Sequence, residues 1–117
     1  MMLETDAPVM IGAAMTTRQI ASWLRERPGL SIVEFTAREC APCRALAPAL
    51  DRLGVQHGVR ILFVDAMSSP SAADHFGVQA VPALLAFRDG CYVRTIPANP
   101  ATVAGDVLAL AGNGKGR

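Results

Sequence analysis

The chain has little that would draw it to a polyanion or a membrane. Its formal charge is +1, from eleven basic and ten acidic residues, and no basic block stands out. Bulk attraction to nucleic acid or to an anionic membrane surface is therefore unsupported. Lysine is nearly missing: Lys115 is the single Lys and the other cations are Arg, which beside abundant Ala reads as codon bias rather than chemistry. No stretch approaches the roughly 20 apolar residues of a membrane span; the most apolar, from Val78 to Phe87, is short and holds Pro82. The first ten residues, MMLETDAPVM, carry Glu4 and Asp6 where a secretory leader would carry Lys or Arg, so the expected location is the cytoplasm. Cysteine is scarce as well. Three cysteines make no disulfide framework, which would want a higher and even count. Internal repeats, low-complexity tracts and interdomain linkers are absent.

What is present is one domain's worth of sequence, 117 residues of which 51% are hydrophobic and 18% charged. A chain of this size buries roughly 65% of its unfolded surface, and its composition is the opposite of a disordered one. Val9–Ala13 reads as a short first strand. Thr16 and Thr17 offer a helix N-cap, after which Ile20, Trp23 and Leu24 share a face at helical spacing until Pro28-Gly29. Leu30–Thr36 (LSIVEFT) has the continuous apolar pattern of a strand buried on both faces, interrupted by Glu34. Leu46, Leu50 and Leu53 predict a helix between Cys43 and Gly58, kinked at Pro48. Val59–Asp65 is a second buried strand, and Pro70–Phe76 a short helix ending at Gly77. Ala83–Phe87 and Cys91–Ile96 flank the turn Asp89-Gly90 as a hairpin. Asn99-Pro100 predicts the cap and first residue of a last helix running to about Leu110. The order is βαβαβαββα, an α/β fold whose helix-separated strands predict a parallel sheet with an antiparallel edge added by the hairpin. GNGKGR reads as a loose tail, giving one domain at 1–111 and a flexible tail at 112–117.

Two of the cysteines form Cys40-Ala41-Pro42-Cys43. In a reducing compartment that spacing means redox work or metal. The element order puts Cys40 beyond the C-terminal end of a central strand, where open α/β sheets hold their sites, and at the start of the next helix. Unpaired N–H groups and the positive end of the helix dipole favour a thiolate there, so Cys40 is the expected nucleophile. Cys43 lies one turn on, close enough to close a disulfide and to resolve a mixed one, and Pro42 stiffens the loop between them. Glu34 is the other chemical candidate. A carboxylate in an apolar strand is costly when charged, so its pKa is expected to rise.

With these elements, IVEFTARECAPCRALAP, the segment VPALLAFRDG and Asp65 closing a strand resemble the thioredoxin family, over roughly Val9 to Leu110. The resemblance implies a thioredoxin-like three-layer sandwich around a central mixed sheet, a parallel core with a C-terminal antiparallel hairpin. It implies that Pro82 is the cis-proline set against the dithiol and that the Val81 backbone pairs with an extended substrate, beside Ala41 and Pro42. It implies that Glu34 stands where the family carries a buried Asp that takes the proton of the second cysteine. The activity implied is reduction of disulfide-containing proteins by a monomer with no bound cofactor, its electrons supplied by the family's flavoprotein reductase. The departures are Thr36 and Glu39 in place of Trp, Ile61 in place of the Lys that pairs with the buried acid, and Pro97 in place of a Gly before the last helix.

The ordinary alternatives are few. A zinc site would need two more ligands than the Cys pair supplies, and Cys91, His57 and His75 lack partner spacing, so no metal is expected. Cys91 reads as a small packing residue, His57 and His75 as surface residues, and Trp23 as core. The competing function is a thioredoxin-fold binding or chaperone-like module with weak or vestigial redox activity, favoured by the altered residues Thr36, Glu39 and Pro97. A disulfide-forming oxidase would want an export signal, which is not seen.

Overall fold

Thr16 opens the first helix. Its hydroxyl accepts the Gln19 backbone N–H at 3.0 Å, and the Gln19 side-chain oxygen accepts the Thr16 N–H at 2.9 Å. This reciprocal pair satisfies donors that a helix start leaves free. In this computed structural model, which describes residues 14–115, α1 then spans Thr17–Arg25. The strand expected at Val9–Ala13 lies outside the described residues. The elements that follow are β1 (Leu30–Thr36), α2 (Ala41–His57), β2 (Arg60–Asp65), α3 (Pro70–His75), β3 (Ala83–Arg88), β4 (Cys91–Ile96) and α4 (Val103–Lys115).

The described strands form one mixed sheet in the order β2-β1-β3-β4. β1 runs parallel to β2, with Glu34 beside Phe63 and Thr36 beside Asp65. It runs antiparallel to β3, with Phe35 beside Ala83, and β3 is antiparallel to β4. The parallel pairing among described strands is thus β1 with β2, and the hairpin makes up half of the sheet rather than an edge of it. The reason lies in α3. Six residues of helix span about 9 Å, less than half the roughly 20 Å of a six-residue strand. The chain therefore stays at the end where β2 finishes, and β3 enters there and runs back. Asp89 and Gly90 turn the hairpin with φ of 54° and 85°, the paired positive values of a tight hairpin turn.

Strand alternation divides the core. Ile32, Ile61, Leu84 and Ala86 face Leu46, Leu50 and Leu53 of α2 and Val103, Val107 and Leu110 of α4. Val33, Phe35, Leu62, Val64, Leu85 and Phe87 face Ile20 and Leu24 of α1 and Ala72 and Ala73 of α3. Helices on both faces of one sheet make the three-layer sandwich. Each fully buried Leu or Ile contributes about 1.5–3 kcal/mol. Glu34 shares parity with Ile32, which aims it at the α2 side of the sheet. That parity is what brings it to the cysteine helix.

Three expectations are corrected. The last helix begins at Val103 rather than at Pro100: the Asn99 carbonyl accepts from both Thr102 and Val103, and its side chain accepts the Ala101 N–H at 2.8 Å, so 99–102 form a separate turn before the helix. At its other end α4 continues to Lys115, into the residues read as a tail, because adding turns to an established helix costs far less than nucleating one. Cys91 is exposed, not packed. It starts β4, an edge strand along which Ile96 alone is buried. Trp23 is half-buried against the α1 side of the core, with the Arg27 guanidinium 4.5 Å above its ring.

Candidate functional site

β1 ends at Thr36, and four residues later Cys40 caps α2. Its backbone is extended (φ −142°, ψ 101°), and its Sγ accepts the Cys43 N–H at 3.2 Å. A sulfur thus sits where helices usually place a Ser, Thr or Asp oxygen, receiving a donor that the first turn cannot pair internally. Cys40 and Cys43 are joined as a disulfide, with their Cα atoms 5.2 Å apart. In this oxidised form both are nearly covered, 8% and 6% exposed. Ala41 and Pro42 between them are exposed, and the Pro lies in the first turn, where no internal N–H partner is lost. An N–H and a helix dipole so placed would favour a thiolate on the Cys40 sulfur once the pair is reduced.

The Val81-Pro82 peptide bond is cis. Because Ala83 pairs with Phe35, Pro82 stands at the sheet end where β1 delivers the chain to Cys40. Both Val81 and Pro82 are half-buried. Beside them lies a depression of about 380 Å³ with an apolar wall that includes Ala66, Met67, Val78 and Val81. Met67, 77% exposed, has no signal in the sequence that marks it as part of a site. It lies just past the end of β2, and the short α3 returns Val78 and Val81 to face it at the same end of the sheet.

Glu34 is 3% exposed, and its Oε2 is buried without a hydrogen-bond partner. Burial raises its pKa from 4.5 to about 7, since the carboxylate loses hydration that nothing replaces. Glu34 and Cys43 line one recess of about 460 Å³, together with Thr36 and Phe63. Arg38, Arg44 and Asp51, all exposed, stand at its outer edge. The position beside Glu34 on β2 is Phe63, not Ile61, which pairs with Ile32 deep in the core. Both β2 residues on this face are apolar, so neither supplies a cation to Glu34. Asp65, at the end of β2, accepts from the Met67 N–H at 3.3 Å and from the Ser68 hydroxyl, which shapes the turn that follows. His57 and His75 are exposed; His75 packs edge-on against Phe76. Among the described residues no group of three or more His, Cys, Asp or Glu converges as metal ligands would, and no helix is long and apolar enough to cross a membrane.

Comparison with known proteins gives a consistent result. The family model described as thioredoxin matches residues 13–104. Thioredoxin 1 of Synechococcus elongatus is 32% identical over 88 residues, which is 74% of this chain and 82% of that one. The thioredoxin of Chlamydia muridarum is 43% identical over 63 residues, 53% of this chain and 62% of that protein. Among solved structures, Fasciola hepatica thioredoxin superposes with a TM-score of 0.75 at 28% identity, covering 81% of this chain and 94% of that one.

Proposed function

Because the chain belongs to the thioredoxin family, whose members are protein-disulfide oxidoreductases, we propose that it works in the reducing direction, with Cys40 as nucleophile and Cys43 as the resolving thiol. The chain is a thiol–disulfide oxidoreductase, and thioredoxins act on disulfide substrates and are reduced by a reductase. The observation that carries the assignment of roles is the Cys43 N–H directed at Cys40 Sγ at 3.2 Å. The Cys40 thiolate attacks a substrate disulfide, forming a mixed disulfide and expelling a substrate thiolate. Cys43 then attacks Cys40 Sγ, releasing the second substrate thiolate and closing the Cys40–Cys43 disulfide.

Glu34 takes the proton of Cys43 in that second step. A carboxylate with a pKa of about 7 is a better acceptor for a thiol proton near neutrality than an ordinary Glu. The Val81 backbone pairs with an extended substrate segment across Pro82, Ala41 and Pro42, and the apolar depression by Met67 takes a neighbouring side chain. The protein acts as a monomer in the cytoplasm, with a thioredoxin reductase as electron donor; the likeness to bacterial thioredoxins supports the setting. The binding-module alternative gains no support from the relatives. Insulin-reduction turbidity with dithiothreitol, run beside Cys40→Ser, tests the assignment: the wild type precipitates insulin B chain and the variant does not. Equal rates for the two proteins would remove Cys40 from its role.

A further inference from the structure

The depression beside Val81 has an open apolar wall that includes Met67, Val78 and Val81, and a volume of about 380 Å³. Among the described residues that line it, Asp74 alone is charged, and Gln79 is its polar neighbour; both are exposed. The fold has little use for that carboxylate. Asp74 lies in the last turn of α3, at the negative end of the helix dipole, where an acid is disfavoured. Among the described residues no cation pairs with it. His75, the next residue, packs edge-on against Phe76, and Arg18 lines a different depression that shares Pro70 with this one. An apolar wall with one exposed carboxylate suits a side chain that is aliphatic along its length and cationic at its end.

We propose that this depression selects substrates that carry a basic residue near the reactive cysteine, with the aliphatic stem along Met67, Val78 and Val81 and the cationic head at Asp74. The inference rests on the disulfide exchange proposed above and names the substrate side chain that the depression takes. Arg and Lys lay their stems on apolar surface while the head stays in water. The unbranched thioether of Met67 repacks readily against such a stem. A guanidinium has donors enough for the Asp74 carboxylate and the Gln79 amide oxygen together. Successive side chains of an extended segment point to opposite faces, so the residue two positions from the substrate cysteine shares its face, about 7 Å away. The protein's overall charge does not produce this preference. The formal charge is +1, and Arg38 and Arg44 edge the recess that Cys43 lines, so both would favour an acidic substrate. Glu39, exposed and next to Cys40 in the chain, is the rival source of the same preference.

The test uses the full chain in reduced form and three Gly-spaced peptides, identical except for Arg, norleucine or Glu two positions to either side of a single cysteine. Each peptide carries thionitrobenzoate in a mixed disulfide. Attack by Cys40 on the peptide sulfur then releases a coloured thiolate. Each rate is divided by that of the same peptide with dithiothreitol, which removes differences intrinsic to the disulfide. The expected order is Arg, norleucine, Glu, with Arg about two- to fivefold faster than norleucine at low ionic strength, as an exposed ion pair gives, and less so at high salt. Asp74→Asn should bring the Arg and norleucine rates together, and Asp74→Lys should put Glu ahead of Arg. Equal rates for Arg and norleucine in the wild type overturn the proposal. So does an Arg preference that survives in Asp74→Lys, which would place its source at Glu39. Cys40→Ser separates the two levels. Release that depends on Cys40 but is equal for all three peptides defeats the side-chain assignment alone; release at the wild-type rate in Cys40→Ser defeats the exchange through Cys40, and the proposal with it.

Discussion

Replacing Glu34 with Gln isolates the energetic consequence of a carboxylate in a buried strand. Burial raises the Glu34 pKa from 4.5 to about 7, and the side chain is 3% exposed, so little of the effect is screened by solvent. At about 1.4 kcal/mol per pH unit, the rise corresponds to about 3 kcal/mol. The folded protein holds this proton more tightly than the unfolded chain does, so the free energy of unfolding falls as pH increases between the two values. Below about pH 4.5 both states are neutral at this residue and the carboxylate costs nothing; above about pH 7 the full cost is present. Gln carries its own burial cost, but that cost is the same at every pH. The readout is therefore the slope of the difference, not its offset. Urea titrations of both oxidised proteins, followed by the fluorescence of the single Trp, supply it. With a urea slope of about 1–3 kcal/mol/M, the midpoint of Glu34→Gln should gain roughly 1–3 M on wild type between about pH 4 and about pH 8. A difference that stays constant over that range would show that Glu34 titrates at its ordinary value and that the burial argument fails.

Two further outcomes are expected. In the reduced protein at neutral pH, brief iodoacetamide treatment should label Cys40 before Cys91 although Cys91 is exposed, because the thiolate fraction rather than exposure governs the rate; peptide mapping with Cys91 labelled first would refute this. In stopped-flow kinetics Glu34→Gln should slow resolution of the mixed disulfide near neutral pH and leave the first attack by Cys40 nearly unchanged, and an unaltered resolution rate across neutral pH would make Glu34 a strand residue only.

Much of the fold is legible in the residues themselves. The runs Leu30–Thr36 and Cys91–Ile96 carry enough β-branched and apolar character, bounded by Gly and Pro, to mark their strands to the residue. Thr16 and Cys40 mark helix starts for the same reason, a side chain able to accept the first free N–H groups. Strand direction is less legible. Whether β3 enters parallel or antiparallel depends on how far α3 carries the chain, a length that local pattern does not set against the width of the sheet. Neighbours across the sheet are equally hidden: Phe63 sits beside Glu34 through the β1–β2 register, which the apolar run of β2 does not set by itself. The Cys pair and Val81-Pro82 stand out as motifs, whereas Arg38, Arg44 and Met67 acquire a place near the site only once the chain is folded.

The central claim is that disulfide exchange begins at Cys40. Single-cysteine trapping tests it most directly. Cys43→Ser and Cys40→Ser are each incubated in reduced form with a disulfide-linked peptide, quenched in acid and mapped by mass spectrometry. The account predicts a stable mixed disulfide through Cys40 in Cys43→Ser and little or none through Cys43 in Cys40→Ser, because the activated sulfur is the one held at the start of α2. Adducts formed equally in both variants, or formed through Cys91, would contradict it.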